Sequence, residues 1–112
     1  MASILTEEEL NKIIDNYISR LKGNLNIEQV ILYGSYAKGN ADEWSDIDLY
    51  IISKDLPENE LKGSNGFYLD CLAQDFDTRI EAIGINPKQL SNPIEKSFFD
   101  EVKSTGKAIK IN

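Results

Sequence analysis

The chain has 112 residues, with 19 acidic against 12 basic side chains and a net charge of −7, a size that suits a single domain over residues 1–112 with one modest core and little room for a second substrate-binding lobe. Lys and Arg are scattered, which disfavours a nucleic-acid backbone as partner, since that needs concentrated positive charge. There is no histidine, so His-ligated zinc, a Ser-His triad and a histidine general base are excluded, and carboxylates and water remain as metal ligands and bases. Cys71 is the only cysteine, no stretch reaches the ~18 apolar residues of a membrane span, and Met1 to Leu5 lack the regions of a signal peptide. The expectation is a soluble chain of a reducing cytoplasm.

The first predicted element is a helix. Thr6-Glu7-Glu8-Glu9 is a capping-box pattern, Leu10, Ile13, Ile14, Tyr17, Ile18 and Leu21 fall on one helical stripe, and Gly23 can end it. A strand follows over about Gln29 to Tyr33, short and rich in β-branched residues. Gly34-Ser35 then forms a turn, with a short helix over Ser35 to Lys38, and Ile47 to Ile52 reads as a second strand opened by Asp46 and Asp48.

These turns and strands carry a chemistry. Residues two apart on a strand share a face, so Asp46 and Asp48 project together with Cα atoms roughly 6–7 Å apart. Two carboxylates this close repel unless water screens them or a cation sits between them, and hard divalent ions prefer oxygen ligands, so Mg²⁺ is the expected occupant. Gly34 lets the backbone turn sharply and approach a ligand, the free N–H groups that follow attract phosphate, and Ser35 adds a hydroxyl. Together these are the parts for phosphoryl or nucleotidyl transfer. A Walker A loop is excluded, because Asn40-Ala41 follow Gly39 where Lys and Ser/Thr belong. Trp44, in the polar loop before the aspartates, is read as capping the core edge, stacking on a base or lining a partner surface.

The string Gly34-Ser35, ten residues, Asp46-Ile47-Asp48 resembles the signature of the DNA polymerase β-like nucleotidyltransferases, and GSYAKGNADEWSDIDL follows that family's wording almost throughout. The resemblance is to the minimal members of bacteria and archaea. It implies an α/β (α+β) fold, a small mixed β-sheet flanked by helices.

Further along, Asp55 to Gly66 reads as a mobile connection, with Pro57, Gly63 and the turn pair Asn65-Gly66. Phe67 to Phe76 has Leu69, Leu72, Ala73 and Phe76 at helical spacing, and Arg79 to Ile85 is the third strand. Glu81 shares its face with Ile83 and Ile85, and a carboxylate in apolar company needs a partner. The family's third acidic residue lies on the strand beside the aspartate pair. The resemblance therefore points to Glu81, with Glu standing where Asp is usual, and Asp77 is the competing candidate. Arg79, on the same face, is placed to form an ion pair with Glu81 or to contact phosphate directly. Asn86-Pro87 and Asn92-Pro93 read as N-caps followed by proline. The second begins a helix with Ile94, Phe98 and Val102 on one stripe and Phe99 off it, and a short last strand follows Gly106.

The resemblance implies an Mg²⁺- and ATP-dependent nucleotidyltransferase, with one or two metal ions held by Asp46, Asp48 and Glu81 as the catalytic carboxylates. Gly34, Ser35 and Lys38 would bind the nucleotide, and no nucleic-acid template or membrane is involved. Minimal members often serve as the antitoxin that adds AMP to a tyrosine of a helical HEPN-type toxin. The alternative is an inactive module that neutralises a partner by occlusion, and transfer to small molecules such as aminoglycosides is a weaker third.

Overall fold

The computed structural model describes residues 4–58, 65–74 and 76–111. In chain order it comprises α1 (Glu7–Lys22), β1 (Ile27–Tyr33), α2 (Ser35–Lys38), β2 (Ile47–Ser53), α3 (Asn65–Ala73), β3 (Ile80–Ile85), a 3₁₀ helix (Pro87–Ser91), α4 (Pro93–Thr105) and β4 (Lys107–Ile109). The strands form one mixed sheet in the order β3-β2-β1-β4. The β1 strand is antiparallel to both β2 and β4, while β2 and β3 run parallel.

α1 begins where its cap dictates. Thr6 Oγ1 accepts the Glu9 N–H at 3.1 Å and Glu9 Oε1 accepts the Thr6 N–H at 2.9 Å, so two donors that the first turn cannot satisfy are paired. The helix buries Leu10, Ile14, Tyr17, Ile18 and Leu21 against the sheet face made by Val30, Leu32, Ile47, Leu49 and Ile51. α3 joins the same layer through Leu69 and Ala73. Tyr17 donates its hydroxyl proton to Asp70 at 3.1 Å, and Arg20 Nη1 donates to the Ala73 and Gln74 carbonyls at 3.1 and 2.8 Å, so α1 supplies the cap for the end of α3.

The opposite face carries Ile31, Tyr50, Ile52 and Ile85, covered by Phe99 and Val102 of α4, with Tyr33, Ile83, Leu90 and Phe98 half-buried around them. Here the structure corrects the predicted stripe. α4 buries Glu95, Phe99 and Val102, whereas Ile94 is 77 % exposed. The helix is rotated relative to the apolar pattern because Phe99 fills the space over Tyr50, ring centroids 5.9 Å apart.

Further boundaries move, and α3 ends at Ala73, short of the expected Phe76. Asn65-Gly66 is the first turn of α3 rather than a loop turn: the buried Asn65 amide donates to the Pro57 and Gly84 carbonyls at 3.0 and 3.2 Å, and a Cβ on Gly66 would lie 2.6 Å from the Ala82 carbonyl, so the helix starts pressed onto β3. Gly63 lies outside the described residues. Strand β1 starts two residues earlier than predicted, at Ile27. Among the described residues no helix is long and apolar enough to cross a membrane.

Candidate active site

The sheet register decides what meets at its polar end. Tyr33 on β1 lies opposite Asp48 on β2, and Asp48 lies opposite Glu81 on β3. All three belong to the face that α4 covers, and Phe98 of α4 reaches Tyr33. Asp46 precedes β2 by one residue, and the segment is pinned to the neighbouring strand by the Ile47 N–H donating to the Arg79 carbonyl at 2.8 Å. The sequence-predicted trio of Asp46, Asp48 and Glu81 is therefore brought together at adjacent strand ends.

Their electrostatics follow from proximity. Burial pushes the Asp48 carboxyl up to about 6, with the charges of Glu81 and Asp46 acting in the same direction. The Glu81 carboxyl is also raised, first by burial and then by a hydrogen bond and like charge from Asp46. Glu81 is exposed, as is Asp46, so the partner expected of a carboxylate in apolar company is not required. Arg79 does not serve: its Nη2 and Nε donate to both oxygens of Asp77 at 2.7 and 3.0 Å. That ion pair lowers the Asp77 carboxyl and occupies the competing candidate at the entrance to β3.

A divalent cation fits the donor set, since all three residues offer hard carboxylate oxygens and opposite charge would relieve the repulsion that raises Asp48 and Glu81. The fit lies in chemistry rather than in a finished cage. Among the described residues no three His, Cys, Asp or Glu side chains converge as one ligand group.

Gly34 joins β1 to α2 with φ of +73°, a conformation that favours glycine. A Cβ there would overlap Asp48 Oδ2 and lie 3.1 Å from its Cγ, so the backbone of the turn passes directly against the carboxylate. Ala37 and Lys38 donate their N–H groups to the Gly34 carbonyl at 3.1 Å, and the amides of Ser35 and Tyr36 precede that first bonded turn. Lys38 is exposed at the end of α2.

Tyr33 was not singled out by the sequence reading. Its phenol is raised by burial and then by the charges of Asp48 and Glu81, and its ring makes an edge contact with Phe98 at 6.1 Å. The available signal was its place just before Gly34, which the antiparallel pairing sets opposite Asp48. Trp44 does not cap the core; it is 77 % exposed. A cavity of about 410 Å³ lies elsewhere, between the start of α1, α2 and β4, where Leu10, Leu32, Tyr36 and Ile109 line it.

Comparison with known proteins agrees with this geometry. The family model described as Polymerase beta, Nucleotidyltransferase matches residues 11–110. The Methanocaldococcus jannaschii protein MJ1305, which bears the provisional name protein adenylyltransferase, is 33% identical over 92 residues, covering 78% of this chain and 62% of its own length. The chain thus spans less than two thirds of that relative. MJ0141 of the same organism, with the same provisional name, is 34% identical over 80 residues, 71% of this chain and 76% of the relative. Protein adenylyltransferase MntA of Thermococcus cleftensis is 29% identical over 55 residues, 49% of this chain and 56% of that protein. A crystal structure described as a toxin-antitoxin with AMP-PNP superposes with a TM-score of 0.56 at 19% identity, covering 88% of this chain and 73% of that one, a likeness of fold.

Proposed function

Because the chain belongs to the polymerase β nucleotidyltransferase family, we propose that it moves AMP from ATP to a hydroxyl acceptor, a tyrosine of a HEPN-type toxin partner, and so acts as an antitoxin. The observation that carries the reading is the register in which Asp48 faces Glu81 on one side and the Tyr33-Gly34 turn on the other. It sets acidic oxygens beside backbone amides, which is what a phosphate ester and its charge-neutralising ion both require.

In this reading Gly34 and Ser35 receive the β- and γ-phosphates on backbone N–H and hydroxyl donors, and Lys38 adds charge at their edge. Asp46, Asp48 and Glu81 would hold Mg²⁺, which when bound neutralises phosphate charge. Glu81 takes the proton of the acceptor hydroxyl. The acceptor oxygen bonds to the α-phosphorus as the bond to the β-phosphate oxygen breaks, and pyrophosphate leaves. The names of the adenylyltransferase relatives and the toxin-antitoxin neighbour support the acceptor class.

One observation favours a second reading. The trio does not close into a three-ligand group, as a module that only occludes its partner would permit. Intact mass spectrometry of the co-purified partner after incubation with Mg²⁺ and ATP separates the two. A gain of AMP units with wild type but not with the Asp46→Asn, Asp48→Asn double variant is expected; equal binding by both forms with no mass gain would replace transfer by occlusion.

A further inference from the structure

Trp44 is the only tryptophan of the chain, it is 77 % exposed, and it stands two residues before Asp46. A large ring left in water costs hydrophobic free energy unless something covers it. The backbone that carries the ring is nevertheless held in a closed turn. Asp42 Oδ1 accepts the Trp44 N–H at 2.9 Å and the Ser45 hydroxyl at 3.2 Å, Ser45 Oγ accepts the Asp42 N–H at 2.9 Å, and the Ser45 N–H donates to the Asp42 carbonyl at 3.2 Å. The turn is closed from both ends, and β2 begins directly after it.

What could cover the ring is limited by its neighbours. Asp42, Glu43, Ser45 and Asp46 flank it in sequence, and among the described residues the other large exposed apolar side chains, Ile4, Phe67, Tyr68 and Ile94, belong to the start of the chain, α3 and α4. Protein-binding anchors of this type sit at the centre of a patch whose surrounding contacts exclude water and from which charged residues are depleted, unlike the acidic flanks of Trp44. A lone flat ring among polar side chains suits a flat ligand that carries its own polar edge. A nucleobase is such a ligand, and stacking on an aromatic ring adds affinity without needing positive charge, which this acidic rim does not offer.

We infer that Trp44 is a stacking platform for the purine base of the nucleotide whose phosphates lie at Gly34 and the acidic trio. The inference rests on the nucleotide-binding reading above and adds the residue that holds the base. It assigns the 42–45 turn to nucleotide affinity and leaves the acceptor to the other side of the cluster.

The sole tryptophan is its own reporter. Titration of the full chain with ATP in Mg²⁺ should quench its fluorescence saturably, while inorganic tripolyphosphate in the same buffer should not. Equilibrium dialysis should show Trp44→Leu weakening ATP binding about tenfold with tripolyphosphate binding unchanged. ATP bound equally by both forms with no fluorescence change would overturn the inference and leave the nucleotide reading standing. Unaltered ATP affinity in Trp44→Leu with a reduced mass gain on the partner would overturn it in favour of an acceptor contact. If neither form bound ATP, the inference and the nucleotide reading would fall together.

Discussion

Gly34 and Asp48 compete for one volume: the space that a side chain on Gly34 would take is already filled by the Asp48 carboxylate. The close approach aims the carboxylate past the turn, and it makes the glycine a requirement of the site as well as of the backbone.

Gly34→Ala should therefore act on both. Positive φ at a residue with a Cβ costs about 1 kcal/mol or more, and displacing Asp48 should abolish nucleotide transfer. Denaturant unfolding and the partner mass assay measure the two effects. A folded variant with full transfer would show that the contact is incidental.

The acidic trio predicts a pH dependence. A carboxyl raised by folding from its ordinary value of 3.8 to about 6, as Asp48 is, binds its proton more tightly in the native state. Stability is then greatest below the ordinary value and declines as pH rises through the window up to about 6. Glu81, also raised, has the same sign. Asp48→Asn should be more stable than wild type at pH 7 by on the order of 1 kcal/mol, after allowance for solvent screening of a half-exposed group, and the gap should close below pH 4. Added Mg²⁺ should raise the melting temperature of wild type at pH 7 more than that of Asp48→Asn. A flat pH profile in metal-free buffer would contradict the raising of these carboxyls by burial and by one another's charge.

Glu81 and Asp77 are separable by substitution. Glu81→Gln should lower transfer by about 100-fold or more. Asp77→Asn, which only releases the exposed Arg79, should leave transfer near wild type and change stability by about 0–1 kcal/mol. The reverse ranking in the mass assay would make Asp77 the third carboxylate.

Behind the site, the Tyr50 hydroxyl and Glu95 Oε2 are buried without a hydrogen-bond partner among the described residues. Tyr50→Phe removes the orphaned hydroxyl and keeps the ring contacts with Phe98 and Phe99, so it should stabilise the fold by about 1 kcal/mol. A loss of stability in chemical denaturation would mean that the hydroxyl has a partner in solution.

Much of this was legible in the sequence because local rules decided it. The Thr6 and Glu9 cap, the Gly34-Ser35 turn and the Asn86-Pro87 and Asn92-Pro93 starts involve residues within a few positions of one another. What was misread depends on packing at a distance. Asn65-Gly66 looks like a turn until the Gly84 carbonyl is there to accept the Asn65 amide, and α4 looks as if it buries Ile94 until Tyr50 sets where Phe99 must go. Arg79 and Glu81 share strand parity, yet Asp77 captures the guanidinium through a bidentate geometry that parity cannot express. Tyr33 joined the site only through register, which needs both strands.

The parallel pairing of β2 with β3 also bears on the order in which the molecule is built. Gly34, Ser35, Asp46 and Asp48 come from one continuous stretch, whereas Glu81 arrives only after the chain has crossed over through α3, and such distant pairings form slowly. The third carboxylate is thus a late arrival, and it docks against charge of its own sign. Screening by salt or by a divalent ion should quicken that last docking step, so the ion that serves the chemistry would also help to complete the sheet.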